Sequence, residues 1–396
     1  MNTSRRQWQP VRLSPAAAID LGPLLEQVSS AVGDVTALLA IAQQAGRSAP
    51  KPGDGRTARL WELLASVAAV DVAAARVLEP HLDAGAILSQ AGTPDTFTGS
   101  WGVYAAEAPG TRLTAEHAAQ RVAESAAEQA AGQRGAESAG SPGGVQLSGS
   151  KPWCSLAQFV DHAVVTAHTA SGGRAAFAVD LRAVGVTCDV PEWTSRGLRE
   201  IPSGTVHFDR VPAVPLGGDG WYFERPGFAW GGMGVAACWL GGAVALGRHF
   251  QAALLRGARS QREPDQVALA ALGEVDRILA STLQYLARAA DAVDAAAQPG
   301  NGGAEAGGGT GPSGGGEERG SAVGAWSEAL RVRGTVAAAV ERVQLLVSQN
   351  LGPGPLAFDE RYGKCMADLS LYVRQHHATR DDAQLGALTL KGEHEW

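Results

Sequence analysis

Two spacings of apolar residues divide the chain. Residues 16–91 carry apolar side chains three or four positions apart, which is typical of amphipathic helices. This pattern predicts an N-terminal helical domain over residues 1–97. Pro80 is expected to end its last helix, because proline cannot continue the hydrogen-bonding pattern. Asp71 and Glu79 are interpreted as solvated helix charges.

The middle of the chain has the shorter spacing of strands. From Thr98 onward, short apolar runs alternate with polar residues and glycine-containing turns. They predict a central β-domain over residues 98–218, built as an antiparallel β-barrel or sandwich. Residues 123–144 are small and polar and cannot bury a core, so a flexible loop is expected there.

One predicted strand carries candidate chemistry. It begins at Val145, and its alternation places Trp153 and Ser155, two positions apart, on one face. A flat aromatic side chain beside a hydroxyl suits a planar conjugated ligand, which needs a wall and a hydrogen-bond partner at its edge. The alternative is that Trp153 is an ordinary core residue and that Ser155 has no chemical role.

Helical spacing returns after Gly218 and predicts a third domain over residues 219–396, an antiparallel four-helix bundle. Its last helix is expected to run from about Arg361 to His376. The glycine-rich residues 298–320 are predicted to be a disordered insert between two helices. Small residues near the start of the domain would allow close helix packing: Ala237, Gly241, Gly242 and Ala245.

Composition narrows the function classes. The 396 residues suffice for two or three domains, and 45% hydrophobic with 18% charged residues is ordinary for a soluble globular protein. A net charge of -7 without a basic stripe argues against nucleic acid as the main partner. The longest apolar run, around Met233 to Leu246, is broken by glycines and is expected to be too short to span a membrane.

The cysteines and the N-terminus point to the same compartment. The four cysteines are scattered, without C-x-x-C or metal-ligand spacing, so no metal site is expected. No apolar stretch typical of a signal peptide follows Arg5 and Arg6. A cytoplasmic protein with reduced cysteines is therefore expected.

Two segments carry a family resemblance. G-S-K-P-W-C-S, residues 149–155, resembles the G-x-K-x-W-I-T segment of the acyl-CoA dehydrogenase family of flavoenzymes. Residues 197–218 (G-L-R-E-I-P-S-G-T-V-H-F-D-R-V-P-A-V-P-L-G-G) resemble the segment that closes that family's β-domain. In the family the tryptophan packs against the flavin and a threonine hydroxyl bonds flavin N5, so the resemblance assigns these roles to Trp153 and Ser155. It also implies FAD as the cofactor and the same order of three domains.

Two weaker matches add further cofactor contacts. Glu107, with the proline and glycine after it, resembles part of a family turn that touches the flavin pyrimidine edge; Ala105 and Ala106 could make such contacts only through their backbone. V-S-Q-N-L-G-P-G-P resembles the turn whose glutamine reaches the dinucleotide, which assigns that role to Gln349. In many members this contact crosses a subunit interface, so a homodimer or homotetramer is expected. The alternative for Gln349 is a helix cap.

The family's catalytic base has no carboxylate counterpart in this chain. It is usually a glutamate, and the two positions where it occurs hold His376 and the Trp230–Gly231 pair here. The apolar spacing of the last helix turns His376 inward and His377 outward. His376 is therefore a candidate general base, the alternative being a helix-end histidine near the last carbonyls.

Three functions follow from the resemblance. The first is a FAD-dependent, acyl-CoA dehydrogenase-like oxidoreductase acting on the CH–CH group of an acyl thioester, with a non-standard base. Its electron acceptor would be an electron-transferring flavoprotein or oxygen. The second is a flavin-dependent monooxygenase on the same fold, which needs no α-proton base. The third is a catalytically inactive flavin-binding or assembly protein.

Overall fold

The protein is described by a computed structural model that covers four stretches of the chain: residues 8–13, 20–117, 144–298 and 317–392, with side chains from residue 324 in the last. Nearly all of the predicted loop at 123–144, and residues 299–316 of the predicted insert, lie outside these stretches. The glycine-rich insert is nevertheless shorter than predicted, because a helix already begins at Glu317.

The chain divides into two compact units. Unit 1 is helical and comprises Met1–Leu82, Thr194–Ile201 and Pro226–Trp396; unit 2 contains the sheet and comprises Asp83–Trp193 and Pro202–Arg225. The N-terminal and C-terminal helices thus belong to one unit, whereas the sequence predicts a separate domain for each. That three-domain division stays a prediction.

Four helices form the N-terminal part: α1 Gly22–Ser30, α2 Val35–Gly46, α3 Thr57–Val70 and α4 Val72–Gln90. The prediction that a helix ends at Pro80 is wrong, because α4 continues past it to Gln90. The interpretation of Asp71 as a solvated charge is also wrong. Asp71 is buried between α3 and α4 and accepts a hydrogen bond from the amide of Ala74 at 2.8 Å, which caps α4. Glu79 is likewise buried.

Seven further helices follow the sheet: α5 Trp221–Glu224, α6 Pro226–Arg259, α7 Gln266–Ala296, α8 Glu317–Leu351, α9 Pro353–Phe358, α10 Glu360–Tyr372 and α11 Thr379–Leu390. The long helices α6, α7 and α8 pack on one another, and α10 packs on α6. The predicted last helix is too long, since α10 ends at Tyr372 and a short 3-10 turn, Val373–Gln375, follows. Helix α11 has no counterpart in the sequence-based prediction.

Helix α6 is the centre of unit 1. A Cβ atom on Gly241 would lie 2.1 Å from the carbonyl oxygen of Ala65 on α3, so only glycine permits this approach, as the small-residue pattern predicted. Among the described helices, α6 alone is long and apolar enough to cross a membrane, but 72% of its most apolar window is buried inside the structure. The expectation that this run is too short to span a membrane is wrong by length, because it lies within a continuous helix of 34 residues. Its burial is what the core helix of a globular protein shows.

The segment Thr194–Ile201 belongs to the helical unit through close backbone contacts. The amide of Leu198 donates a 2.6 Å hydrogen bond to Oδ1 of Asp368 on α10. Lys364, one turn earlier on α10, lies 2.6 Å from Asp368, 2.8 Å from Asp71 and 2.9 Å from Glu200. One ammonium group therefore joins α10, the start of α4 and this segment.

Unit 2 is built on seven strands: β1 Trp101–Tyr104, β2 Leu113–His117, β3 Val145–Ser155, β4 His162–His168, β5 Arg174–Asp180, β6 Val186–Cys188 and β7 Ser203–Leu216. The strand order is β1-β4-β2-β3-β7-β5; β5 also pairs with β4, which closes the sheet, and β6 pairs with β7. The barrel-like sheet agrees with the prediction. The expectation of a purely antiparallel sheet is wrong, because β1 and β2 run parallel to β4. Alternation reports which face is buried and carries no information on the direction of the neighbouring strand.

Candidate functional site

Trp153 projects from β3 at a bulge. Between the pairs Lys151–Val206 and Cys154–Gly204, β3 has one residue more than β7. Trp153 has a left-handed φ of 59°, and 61% of the residue is exposed. Bulges of this kind re-aim a side chain out of the regular alternation. The core-residue alternative for Trp153 is therefore wrong, and a large aromatic surface is available on unit 2.

Ser155 is fixed by two neighbours in the same unit. Its Oγ lies 2.7 Å from Oγ of Ser203, its cross-strand partner on β7. Its carbonyl oxygen accepts a 3.0 Å hydrogen bond from the hydroxyl of Tyr104, the last residue of β1. The end of β3 and the end of β1 are thus connected directly.

Ala105 and Ala106 follow β1 immediately, so the Tyr104 contact places them beside the end of β3. Ala106 is exposed and Ala105 is half-buried. The carbonyl oxygen of Ala105 accepts a 3.0 Å hydrogen bond from Nη2 of Arg174 on β5. A flavin contact of Ala105 would therefore use its amide group.

A cluster of charged side chains lies next to this loop. Lys151 on β3 is only 1% exposed, and its Nζ donates to Oε1 of Glu107 at 2.7 Å and to the Thr166 hydroxyl at 2.9 Å. Arg174 donates to the same Glu107 oxygen at 2.9 Å and to Thr166 at 2.8 Å. His168 Nε2 lies 3.4 Å from the other oxygen of Glu107. We call Glu107, Lys151, Thr166, His168 and Arg174 the Glu107 cluster.

The charges in the Glu107 cluster explain its pKa shifts. Partial burial alone raises the pKa of Glu107, but the hydrogen bond and charge of Lys151, together with Arg174, outweigh it and hold that pKa below its ordinary value. Burial lowers the pKa of Lys151, and Glu107 offsets only part of this effect. The ring of Phe223 lies under the Arg174 guanidinium at 4.5 Å and fixes its plane.

His376 lies in unit 1, after the short 3-10 turn and before α11. It is 9% exposed, and its Nε2 makes no hydrogen bond, the nearest carboxylate oxygen of Asp381 being 3.8 Å away. Burial lowers its pKa, and Arg333 adds to this effect while Asp381 opposes it. His377 is exposed, with Nδ1 3.2 Å from Asp381. The inward and outward placement agrees with the prediction, although neither histidine is on a helix.

Arg333 of α8 links the surroundings of His376. Its guanidinium donates to the carbonyl oxygens of Gly232 at 3.0 Å and Gln375 at 2.6 Å, and it stacks over Trp239 at 4.8 Å. The α6 residue Gly232 and the residue just before His376 are therefore held by one side chain. Sequence reasoning gave Arg333 no role.

Gln349 is exposed in the last turn of α8, in unit 1. The G-P-G-P sequence after it forms helix α9, where the sequence predicted a turn. Trp153, Ser155, Ala105 and Ala106 all lie in unit 2, while Gln349 and His376 lie in unit 1. The structure thus brings together the four residues assigned to the flavin ring within one unit.

Over the described stretches, no group of three or more His, Cys, Asp or Glu side chains is arranged to hold a metal ion. A pocket of about 220 Å³ lies beside the bulge, lined by Cys154, Phe159, Pro202 and their neighbours. Its lining does not include Trp153.

The chain resembles known proteins in structure and matches none in the sequence comparisons. No protein-family model matches the chain, and no curated protein matches it. Among solved structures, KijD3 in complex with FMN and dTDP-3-amino-2,3,6-trideoxy-4-keto-3-methyl-D-glucose has a TM-score of 0.72 at 17% identity, covering 95% of this chain and 93% of that one.

Two further structures have the same fold. FMN-bound TdsC from Paenibacillus sp. A11-2 has a TM-score of 0.66 at 16% identity, covering 93% of this chain and 98% of its own; TdsC is described as a dibenzothiophene monooxygenase. XiaF from Streptomyces sp., in complex with FADH2 and glycerol, has a TM-score of 0.63 at 15% identity and covers 94% of each chain. At 15–17% identity, these likenesses show a shared fold and no more.

Proposed function

We propose that the chain is a flavin-dependent oxidoreductase and that it acts as a monooxygenase on a small molecule. The observation that carries the flavin assignment is Trp153, a large aromatic side chain held outside the sheet by a bulge and 61% exposed. The similar fold of three proteins whose structures contain FMN or FADH2 supports it.

The residues of unit 2 fit a flavin ring. The Trp153 indole offers a flat wall, and the Ser155 hydroxyl, held by Ser203, offers a polar partner at the ring edge. The backbone of Ala105 and Ala106 offers further polar groups beside them. When bound, the flavin would supply electron transfer to the substrate or to oxygen, and these residues would orient the ring.

Monooxygenation fits the residues at the two positions of the family base. They are Trp230–Gly231 and His376, and neither supplies a carboxylate. In monooxygenation one oxygen atom of O2 enters the substrate, the other leaves as water, and reduced flavin supplies two electrons. The name dibenzothiophene monooxygenase, borne by the structurally similar TdsC, supports this reaction class.

Dehydrogenation of an acyl thioester is the second candidate, favoured by His376. A buried imidazole whose pKa is lowered and whose Nε2 makes no hydrogen bond is neutral near pH 7 and able to accept a proton. In this reaction His376 would take the α-proton and the flavin would take the β-hydride. The electrons would then pass to oxygen or to an electron-transferring flavoprotein.

One pair of assays separates the two reactions. The purified protein is supplied with FMN or FAD, a flavin reductase with NADH, and a panel of aromatic and amino-sugar substrates under 18O2. Incorporation of one 18O atom into product is the expected result. Reduction of the bound flavin by an acyl thioester without oxygen, lost in His376→Ala and kept in His377→Ala, would instead establish the dehydrogenase. A protein that binds neither flavin would overturn both and leave a flavin-free binding or assembly role.

The kind of flavin, the oligomeric state and the compartment are part of the same proposal. We infer FAD from the resemblance, with FMN as the alternative because KijD3 and TdsC contain FMN. Gln349 would contact the dinucleotide part of FAD, so replacing it should weaken binding of FAD and leave binding of FMN unchanged. A homodimer or homotetramer in the cytoplasm completes the proposal.

A further inference from the structure

Two hydrogen bonds join the loop after β1 to the end of β3. Tyr104, just before Ala105 and Ala106, donates to the carbonyl oxygen of Ser155 at 3.0 Å. Glu107, just after them, accepts from Lys151 at 2.7 Å. On β3 the partners Lys151 and Ser155 stand two positions before and after Trp153. The two alanines and the exposed indole therefore lie between the same two bonds.

Each bond has one buried partner. Tyr104 is 3% exposed and Lys151 is 1% exposed, so both side chains lie in the interior of unit 2. A buried ammonium group needs its counter-charge, which makes the Glu107 contact the stronger constraint. Arg174 adds a second donor to Glu107 and holds the Ala105 carbonyl as well. The loop is thus held at three positions, Tyr104, Ala105 and Glu107.

Gly102 permits the first bond. It lies two positions before Tyr104, on the same face of β1, and a Cβ atom there would come within 2.5 Å of the Tyr104 hydroxyl oxygen. The tyrosine ring therefore folds back over the glycine to reach β3. A glycine inside a strand often marks such a close approach.

We propose that Tyr104 and Glu107 are positioning residues for the flavin: their bonds to Ser155 and Lys151 form a two-point clamp that sets the loop and Trp153 in one fixed arrangement. This inference rests on the proposed function, because it takes the flavin ring to lie against Trp153 and the Ala105–Ala106 backbone. The clamp residues act through those groups and need not touch the flavin themselves.

The test uses the full chain with FMN and with FAD. Dissociation constants from flavin fluorescence and the visible circular dichroism of the bound flavin are measured for wild type, Tyr104→Phe, Glu107→Gln and the double variant. Asp209→Asn is the matched control, since Asp209 is an exposed carboxylate of the same unit that forms a surface ion pair with its neighbour Arg210. Far-ultraviolet circular dichroism and hydrogen exchange of the loop amides are recorded without flavin.

Each single variant should weaken flavin binding, about fivefold for the neutral Tyr104 bond and on the order of tenfold or more for the charged Glu107 bond. Both should change the visible dichroism and speed amide exchange at Ala105–Glu107. The fold loss of flavin affinity in the double variant should be smaller than the product of the two single losses, because breaking either bond releases the same loop. Asp209→Asn should behave as wild type.

The outcomes distinguish a failure of the clamp from a failure of the proposed function. Flavin affinity and dichroism unchanged in both single variants would overturn the clamp while leaving the proposed function standing. Absence of flavin binding in wild type would overturn the proposed function and the clamp with it. If Glu107→Gln fails to fold, Tyr104→Phe decides alone, because it removes one oxygen atom and keeps the packed ring.

Discussion

Lys151 is buried and Lys364 is half-buried, and the charges around these two lysines differ. In unit 2, Lys151 and Arg174 share the single carboxylate of Glu107. In unit 1, Lys364 alone faces three carboxylates, Asp71, Glu200 and Asp368. The first cluster therefore has an excess of positive charge and the second an excess of negative charge.

The pKa shifts follow this difference. Burial lowers the pKa of both lysines, but only at Lys364 do the carboxylates outweigh it and raise the pKa. Burial also raises the pKa of Asp368 to about 6, despite its contact with Lys364. Lys364 is thus needed to keep its cluster together, whereas the Glu107 cluster keeps a second cation if Lys151 is lost. The comparison shows two roles for a lysine in these clusters. Lys364 holds several carboxylates together, whereas Lys151 shares one carboxylate with a second cation.

The largest effect is expected at Lys364. Lys364→Met would leave three neighbouring carboxylates without their cation, and breaking a buried ion pair costs about 3–5 kcal/mol. Urea unfolding should show a loss of that size in the free energy of unfolding. Lys391→Met, at an exposed lysine, is the control and should stay within about 0.5 kcal/mol of wild type. Equal stability of the two variants would refute a central role for Lys364.

Asp368 should make stability depend on pH. Its pKa is raised from 3.8 to about 6, so the native state binds more protons than the unfolded state between these values, and its contribution falls as pH rises through this window. The full effect is up to about 3 kcal/mol. The free energy of unfolding of wild type, minus that of Asp368→Asn, should fall as the pH rises from 4 to 7. Parallel pH profiles for the two proteins would contradict this prediction.

Lys151→Met should cost less than Lys364→Met, about 1–3 kcal/mol. Glu107 is 38% exposed and retains Arg174, so its charge stays solvated and paired after the change. The same unfolding experiment compares the two variants directly. A loss at Lys151 equal to that at Lys364 would show that the charge balance of the clusters does not set their stability.

The smallest stability effect is expected at Trp153. Because 61% of the residue is exposed, Trp153→Ala should change the free energy of unfolding by less than about 1 kcal/mol. It should nevertheless weaken flavin binding about tenfold or more, since the ring wall is lost. Full flavin binding with an unchanged absorbance spectrum in this variant would remove Trp153 from the site.

Periodicity predicted most elements because each has one buried stripe or face. Helix α7 and strand β3 were both recognised this way. The exposure of Trp153 could not be predicted, because the bulge depends on β7 having one residue fewer between two pairs. The sequence predicted that α4 ends at Pro80. The helix continues past it because packing outweighs the low helix propensity of proline.

The buried charges depend on partners far along the chain. Lys151 meets Glu107 across 44 positions, and Lys364 meets Asp71 across a much longer separation. One signal was available in the composition: lysine is rare among the 33 basic residues, and two of the four lysines, Lys151 and Lys364, lie in clusters with carboxylates. An ammonium group is compact and fits a closed carboxylate cluster better than the planar guanidinium.

The way the chain is shared between the two units has a consequence for synthesis. Unit 2 is complete once Arg225 has left the ribosome, but unit 1 needs α6 and α7 to cover the apolar surface of α3, on which α1 also packs. During translation the first helices must therefore wait, with their apolar residues uncovered, while most of the chain is made. Helix α3 is thus made before the sheet of unit 2 but reaches its final packing after it, and its apolar face is open to association with other chains in the interval.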